Sequence, residues 1–135
     1  MEKMGVEREV QDGMNVFGIH LLVEFWTCNR EKINDSDYLE RIMSQAAEIA
    51  GAIVLKTLFK KFEPHGVSGV IMISSSHITI HTWPEYAYAA VDIFTCGPQV
   101  DPRKAVDFLR KELEVGHFEI RDFHRGIPKD LSLLS

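Results

Sequence analysis

The sequence has few of the features that mark secreted, membrane-spanning or nucleic-acid-binding proteins. It contains only 2 cysteines, Cys28 and Cys96, in 135 residues, too few for the disulfide framework of a small secreted domain. No run approaches the roughly 18 apolar residues that a membrane helix needs. The net charge of −5 disfavours nucleic acid, which selects basic surfaces. We therefore expect a cytoplasmic protein that binds neither nucleic acid nor a membrane.

A single domain is predicted to follow a charged N-terminal tail. Residues 1–14 contain no apolar core of the kind that secretory signal peptides need, and we interpret them as a flexible tail. The patterned sequence, residues 15–135, has the length of one domain with one hydrophobic core. No linker, repeat or low-complexity block divides it.

Two helical segments lie among segments that are typical of strands. Apolar residues recur at helical spacing over residues 39–50, where Asp37 and Glu40 form a capping-box pattern. Asp101 and Pro102 mark the start of a second helix. Strands are predicted at 17–27, 52–62, 66–73, 77–83, 88–95 and 117–123. This order predicts an α+β fold, a two-layer α/β sandwich with two helices on one face of a mainly antiparallel sheet.

Hydroxyl and imidazole side chains are concentrated in the segment ISSSHITIHTWPE, residues 73–85. On a strand His77 and His81 share a face, but they are about 13 Å apart at a rise of ~3.3 Å per residue, which is too far for one metal ion. No zinc-binding spacing such as Cys-x-x-Cys is present, so we predict no metal site. Taken singly, Cys96 and His81 are typical of structural residues, and the serine triplet is typical of a turn or bulge.

The ordered combination of these residues is more specific. The segment GVSGVIMISSSHITIHTWPEYAYAAVDIFTCG, residues 66–97, resembles the small, pyruvoyl-dependent S-adenosylmethionine decarboxylases of prokaryotes, whose pattern is GVSGVVxISESHxTIHTWPE followed by YAxxDxFTCG. Weaker similarity at 18–26 and 101–109 extends the resemblance over most of residues 15–125. It implies a self-cleaving proenzyme (a zymogen) that decarboxylates S-adenosylmethionine and so supplies the aminopropyl donor for spermidine biosynthesis.

The resemblance also implies how the cofactor is made. In this family a serine hydroxyl attacks the preceding carbonyl, and the peptide becomes an ester. Loss of the serine α-proton then expels the upstream chain as a carboxylate, and the dehydroalanine left behind tautomerises and hydrolyses to a pyruvoyl group with release of ammonia. By motif this serine is Ser76, so cleavage between Ser75 and Ser76 would give a β chain, 1–75, and an α chain, 76–135. The covalent pyruvoyl cofactor forms a Schiff base with the substrate amine and accepts electrons as CO2 leaves.

Three more residues match positions that carry the family's proton transfers. His81 and Ser68 match the residues that assist processing, and Cys96 matches the proton donor to the decarboxylated carbon. A thiol suits that task because it exchanges protons readily.

The substrate-binding positions of the family are matched as well. Phe62 and Trp83 match aromatic contacts to the nucleoside, and Glu85 matches the acid that holds the ribose hydroxyls. Aromatic faces suit both adenine and a sulfonium cation. In the family two protomers share each active site. The resemblance therefore implies an (αβ)2 dimer, in which the second subunit covers the sheet face that the helices leave open.

Residue 75 departs from the family pattern. Ser75 stands where the family has glutamate, which gives three consecutive serines, Ser74, Ser75 and Ser76. The acyl shift uses the backbone carbonyl of residue 75, so it does not require a carboxylate there. The triplet alone leaves the cut position open, and the spacing to His81 and Cys96 favours the Ser75–Ser76 bond.

Two other functions stay open at the level of sequence. A pyruvoyl-dependent arginine or ornithine decarboxylase would keep the same processing residues, although the retained nucleoside contacts argue against it. A non-processing paralogue that acts as a subunit or regulator would be consistent with the missing glutamate.

Overall fold

Six strands form one antiparallel sheet in the computed structural model, which describes residues 17–74 and 76–126. The predicted tail, residues 1–14, and Ser75 lie outside the described residues. The sheet order is β2-β3-β4-β5-β1-β6. The elements are β1 (Gly18–Trp26), α1 (Ser36–Ile49), β2 (Val54–Lys61), β3 (Val67–Ile73), β4 (Ser76–Trp83), β5 (Tyr88–Thr95), α2 (Pro102–Glu112) and β6 (His117–Arg125).

Both helices begin at an aspartate whose side chain caps the first turn. Asp101 accepts a hydrogen bond from the Arg103 amide at 3.1 Å, as the sequence predicts. The predicted cap of α1 is wrong. Asp35, with an extended backbone, accepts from the amide of Tyr38 at 3.0 Å, whereas Asp37 already lies in the first helical turn. Asp35 and Asp37 are both suitable N-cap residues by type, and only the backbone conformation makes Asp35 the cap.

The hydrophobic core lies between the helices and one face of the sheet. Alternate residues of the strands point into it, because successive strand side chains face opposite ways. Phe25, Ile80 and Ile93 from the sheet pack with Leu39 of α1 and Leu109 of α2, and all five are fully buried. This arrangement confirms the predicted α+β sandwich with both helices on one face.

The opposite side of the sheet, here called the open face, has no covering layer within the described residues. It consists of the other set of alternate strand residues, and its exposed large apolar side chains are Trp26, Leu58, Met72, Trp83 and Phe123. Apolar groups of this size are exposed in clusters mainly where a protein makes contacts. Among the described residues, neither helix is long and apolar enough to cross a lipid bilayer.

Candidate active site

The strand register divides the candidate residues between two ends of the sheet. β4 and β5 are antiparallel, and His77 pairs with Phe94. The start of β4 and the end of β5 therefore lie together and bring Ser76 near Cys96. We call this the Ser76 end. The opposite end carries the remaining candidates and is called the Glu85 end; its members are Phe62, Ser68, His81, Trp83 and Glu85.

At the Ser76 end, three aromatic rings come together on the open face. The Phe94 ring centroid lies 5.4 Å from that of His20 and 5.8 Å from that of His77. The two imidazoles are 6.4 Å apart in an edge-on arrangement. The reactive end of β4 is therefore flanked by rings from β1 and β5 as well as by its own histidine.

His20 is the most perturbed member of this group. Its Nε2 lies 3.8 Å from Asp92 Oδ1, too far for a hydrogen bond, and no group in residues 17–74 or 76–126 hydrogen-bonds to it. Burial lowers the pKa of His20, and the negative charge of Asp92 opposes that shift only in part. Sequence reasoning missed His20, Asp92 and Phe94. Alternate residues of a strand share a face, so the even-numbered positions of β1 and β5 could have been assigned to the open face from the sequence.

Among the candidates that the structure describes, Ser68 and His81 form the one direct side-chain hydrogen bond. They face each other across the β3–β4 ladder, and Ser68 Oγ lies 2.8 Å from His81 Nδ1. The tautomer of His81 decides which of the two donates. This pair lies at the Glu85 end, where His81 precedes Trp83 by two residues on β4.

Aromatic side chains dominate the Glu85 end. Phe62 follows β2 and Trp83 ends β4, and both are exposed, at 44% and 41%. Tyr88 lies between two indoles, with its ring 5.3 Å from Trp83 and 4.3 Å from Trp26. The sequence predicted Phe62 and Trp83 as aromatic contacts, and it missed the neighbouring rings of Tyr88 and Trp26, which come from other strands.

Tyr88 also makes a polar contact on the open face. Its hydroxyl donates a hydrogen bond to Glu24. Burial, and then the bond to Glu24, raise the pKa of Tyr88 to about 12. The phenol is therefore neutral at physiological pH and fixes the position of its ring between the two tryptophans.

Glu85 lies on a single 3-10 turn, Pro84–Tyr86, that connects β4 to β5. One carboxylate oxygen, Oε1, is 3.1 Å from Nε2 of His65, and its backbone carbonyl accepts a hydrogen bond from Arg30 at 3.2 Å. Glu85 is thus contacted from two separate loops. Neither His65 nor Arg30 could be predicted from the sequence, because neither lies in the motif.

Ser76 and His81 do not meet within one chain. They are separated by five residues on β4, a continuous strand paired along its length with β3 and β5. At ~3.3 Å per residue this separation is about 16 Å. Within the described residues, no three His, Cys, Asp or Glu side chains come together as a metal site requires.

Comparison with known proteins identifies the family. The family model for S-adenosylmethionine decarboxylase matches residues 19–126. The chain belongs to the S-adenosylmethionine decarboxylase family. It is 46% identical over 123 residues to an S-adenosylmethionine decarboxylase proenzyme of Thermotoga maritima, a match covering 87% of this chain and 95% of that protein.

Other members of the S-adenosylmethionine decarboxylase family agree. The proenzyme of Caldicellulosiruptor saccharolyticus is 46% identical over 114 residues, covering 84% of this chain and 92% of its own length. The proenzyme of Shouchella clausii is 43% identical over 114 residues, with 84% and 88% covered. A crystal structure of the adenosylmethionine decarboxylase from Aquifex aeolicus matches with a TM-score of 0.80 and 29% identity, covering 86% of this chain and 96% of that one.

These relatives confirm the family resemblance drawn from the sequence, and with it the prediction of a decarboxylase of the proenzyme type. Neither alternative, a basic amino acid decarboxylase or a non-processing subunit, gains support from the names of the matched proteins.

A proenzyme of the S-adenosylmethionine decarboxylase family implies a pyruvoyl group made from the chain itself, and the residues at the Ser76 end fit such a group. Ser76 is half-buried at the first position of β4, where a new chain end can be accommodated without breaking the strand. Cys96 is partly exposed beside it, whereas the other cysteine, Cys28, is buried, and burial raises its pKa to about 11.

Proposed function

We propose that this protein is a self-processing, pyruvoyl-dependent decarboxylase of S-adenosylmethionine that works as a dimer with shared active sites. The product would be the aminopropyl donor for spermidine biosynthesis. The observation that carries the proposal is the separation of the Ser76 end from the Glu85 end. Each end holds half of the chemistry, and a second protomer supplies the other half.

Processing within one chain is incompatible with this geometry. The base that removes the α-proton of Ser76 has to be within hydrogen-bond reach of it, about 3 Å. His81 lies about 16 Å farther along the same strand. Since β4 is held in the ladder on both sides, its two ends cannot fold onto each other.

A two-fold pairing of open faces resolves the separation. If the Ser76 end of one sheet lies over the Glu85 end of its partner, two equivalent sites form, each with Ser76 and Cys96 from one chain and His81 from the other. The exposed apolar side chains of the open face, among them Met72 and Trp83, would be buried in the same contact.

In the processing step, Ser76 Oγ attacks the carbonyl carbon of residue 75 and converts the peptide bond into an ester. The partner's His81 then takes the α-proton of Ser76, the Cβ–Oγ bond breaks, and the upstream chain leaves as a carboxylate. Water converts the remaining dehydroalanine into the pyruvoyl group with release of ammonia. If Nδ1–H of His81 donates to Ser68 Oγ, Nε2 keeps its lone pair and acts as the base. Ser68 therefore orients the base. Ser75 contributes only its backbone carbonyl, which is why serine can replace the family's glutamate.

In the decarboxylation step, the pyruvoyl group at position 76 would supply a carbonyl that condenses with the substrate amine and acts as the electron sink for loss of CO2. Cys96 Sγ would donate a proton to the carbon that has lost CO2. Phe62 and Trp83 would contact the adenine ring, and Glu85 would accept hydrogen bonds from the ribose hydroxyls. A decarboxylase of arginine or ornithine would not need such a nucleoside-binding end, because neither amino acid carries a nucleoside.

We further propose that residues 15–135 form the single catalytic domain, cut into a β chain, 1–75, and an α chain, 76–135. The cytoplasm is the expected compartment, since Cys28 and Cys96 are both free and Cys96 has to remain a thiol in order to donate a proton.

Co-expression of two inactive variants tests the shared site. Ser76→Ala lacks the hydroxyl that attacks the preceding carbonyl, and His81→Ala lacks the base, so each variant alone should stay uncut in an intact mass measurement. In mixed dimers the His81→Ala chain keeps Ser76 and faces the intact His81 of its Ser76→Ala partner. We expect it to be cut there, with CO2 release from S-adenosylmethionine restored in part.

Distinct affinity tags on the two variants identify which chain is cut. A mixed dimer in which the His81→Ala chain stays whole would overturn the shared site. Cleavage of His81→Ala expressed alone would remove His81 from the processing step. Wild-type cleavage with CO2 released from arginine or ornithine but not from S-adenosylmethionine would overturn the substrate.

A further inference from the structure

The contact between His65 and Glu85 is not accounted for by the processing chemistry. Nε2 of His65 lies 3.1 Å from Oε1 of Glu85, and His65 lies outside the strands that carry the reactive residues. We propose that His65 is a positioning residue that holds the Glu85 carboxylate in the orientation needed to accept hydrogen bonds from the substrate ribose. This role rests on the proposed function, in which Glu85 is the ribose ligand.

The backbone on the Glu85 side of this contact is fixed. Arg30 donates a hydrogen bond to the Glu85 carbonyl at 3.2 Å, and the amide of Cys28 donates to the carbonyl of Ala87 at 2.9 Å. The 3-10 turn that carries Glu85 is therefore tied at two points to the segment that follows β1. These bonds hold the main chain and leave the carboxylate itself free to rotate.

The backbone on the His65 side is fixed by the same segment. The Gly66 amide donates to Asn34 Oδ1 at 2.8 Å, and the Phe62 amide donates to the Gly66 carbonyl at 2.8 Å. Gly66 has φ of +110°, a left-handed conformation that favours glycine. His65 thus approaches Glu85 from a turn whose start and end are both anchored, and the same turn carries Phe62.

The contact with His65 orients the Glu85 carboxylate, which the backbone hydrogen bonds do not do. The Glu85 side chain is 37% exposed, so without a partner it would sample several rotamers, and binding a diol would require ordering it. A carboxylate has about four acceptor positions. His65 contacts Oε1 alone, which leaves Oε2 available for the two ribose hydroxyls.

Equilibrium binding of two nucleoside thioethers to the processed enzyme tests this role. One is 5′-methylthioadenosine, and the other is its 2′,3′-dideoxy analogue, which lacks both ribose hydroxyls. Neither carries the amino acid end, so their affinities do not depend on the pyruvoyl chemistry. The variants are His65→Leu, which removes the donor, and His65→Gln, whose amide nitrogen reaches about as far as Nε2. Lys111→Leu breaks an exposed ion pair with Asp107 on α2 and serves as a control.

Ordering a flexible side chain on binding costs up to roughly tenfold in affinity. We expect His65→Leu to weaken binding of 5′-methylthioadenosine by up to about tenfold, with no more than about a twofold change for the dideoxy analogue. His65→Gln and Lys111→Leu should keep the wild-type preference for the intact ribose. All variants should still be cut, as judged by intact mass.

Three outcomes would overturn the role of His65. His65→Leu could weaken both ligands equally, which would indicate a general disturbance of the turn; it could weaken neither; or His65→Gln could fail to restore the preference. The proposed reaction is tested separately by CO2 release from S-adenosylmethionine. If the wild-type enzyme prefers the intact ribose and releases no CO2, the proposed reaction fails while the role of His65 stands.

Discussion

The two faces of the sheet differ in what their side chains can do. The face beneath the helices is almost entirely aliphatic, and its only buried polar side chains among the described residues are Thr82 and Thr95. The open face carries histidines, carboxylates and aromatic rings at the alternate positions of the same strands. Most of the folding energy and most of the candidate chemistry therefore lie on alternate residues of the strands. Ser76 is the exception, because it is in phase with buried Ile78 and Ile80 and is only half-exposed, at the first position of β4.

The largest expected effect is from Ser76→Ala. Removing the hydroxyl eliminates the nucleophile of the acyl shift, so the chain should remain a single 15.4 kDa species with no decarboxylase activity. Ser76 is half-exposed at the first position of β4 and the change removes one small hydroxyl, so the variant should unfold at nearly the wild-type temperature. Intact mass spectrometry, a CO2 release assay and thermal unfolding measure the three properties. Normal cleavage of this variant would mean that another serine of the triplet is used.

The two cysteines provide a matched pair for the next prediction. Cys96→Ala should still be cut, but it should decarboxylate about 10² to 10⁴ times more slowly, because it lacks the proton donor. Cys28→Ala removes a buried thiol and should keep its activity while losing some stability. Measured together, kcat and the extent of cleavage separate the two. Equal losses of kcat in both variants would contradict the assignment of chemistry to the open face.

The energetic side of the comparison can be tested with one residue from each face. Ile80 is fully buried beneath the helices, and Leu58 on the open face is 71% exposed. In the uncut Ser76→Ala chain, Ile80→Ala should reduce the free energy of unfolding by about 2–5 kcal/mol. Leu58→Ala should change it by about 0.5 kcal/mol or less. Denaturant unfolding gives both values, and an equal loss would mean that the assembled protein buries the open face at β2.

The smallest expected effect concerns Tyr88 at high pH. Its pKa is raised from 10.0 to about 12 in the folded chain, so the folded state keeps a proton that the unfolded state has already lost. The associated stabilisation is complete below about pH 10 and is lost as the pH rises towards 12. Relative to Tyr88→Phe, the uncut chain should therefore lose stability between these values. Parallel denaturant titrations at pH 9 and pH 11.5 measure the difference, and identical pH dependence would remove Tyr88 as its source.

Local sequence was sufficient to predict the secondary-structure elements and to recognise the family's motif. The strand and helix periods, Asp101 with Pro102, and the segment from residue 66 to residue 97 each depend on neighbours along the chain. These signals predicted the fold class and the family correctly. The cap of α1 was misassigned because Asp35 and Asp37 carry the same side chain, and only backbone conformation separates them.

Residues that approach the site from distant segments could not be predicted in this way. His65 and Arg30 reach Glu85 from loops before β3 and after β1, and His20 reaches the Ser76 end through the pairing of β1 with β5. None belongs to the motif. Their contacts depend on strand order and register, which place segments far apart in sequence side by side.

The sequence by itself determined which side chains match the family's motif and which period each element follows, because both are properties of neighbouring residues. Only the tertiary structure decided where those side chains meet. Ser76 and His81, five residues apart in the motif, are held at opposite ends of β4, because a strand paired on both sides cannot bend back on itself. Ser68 and His81, 13 residues apart, lie 2.8 Å from each other across the ladder.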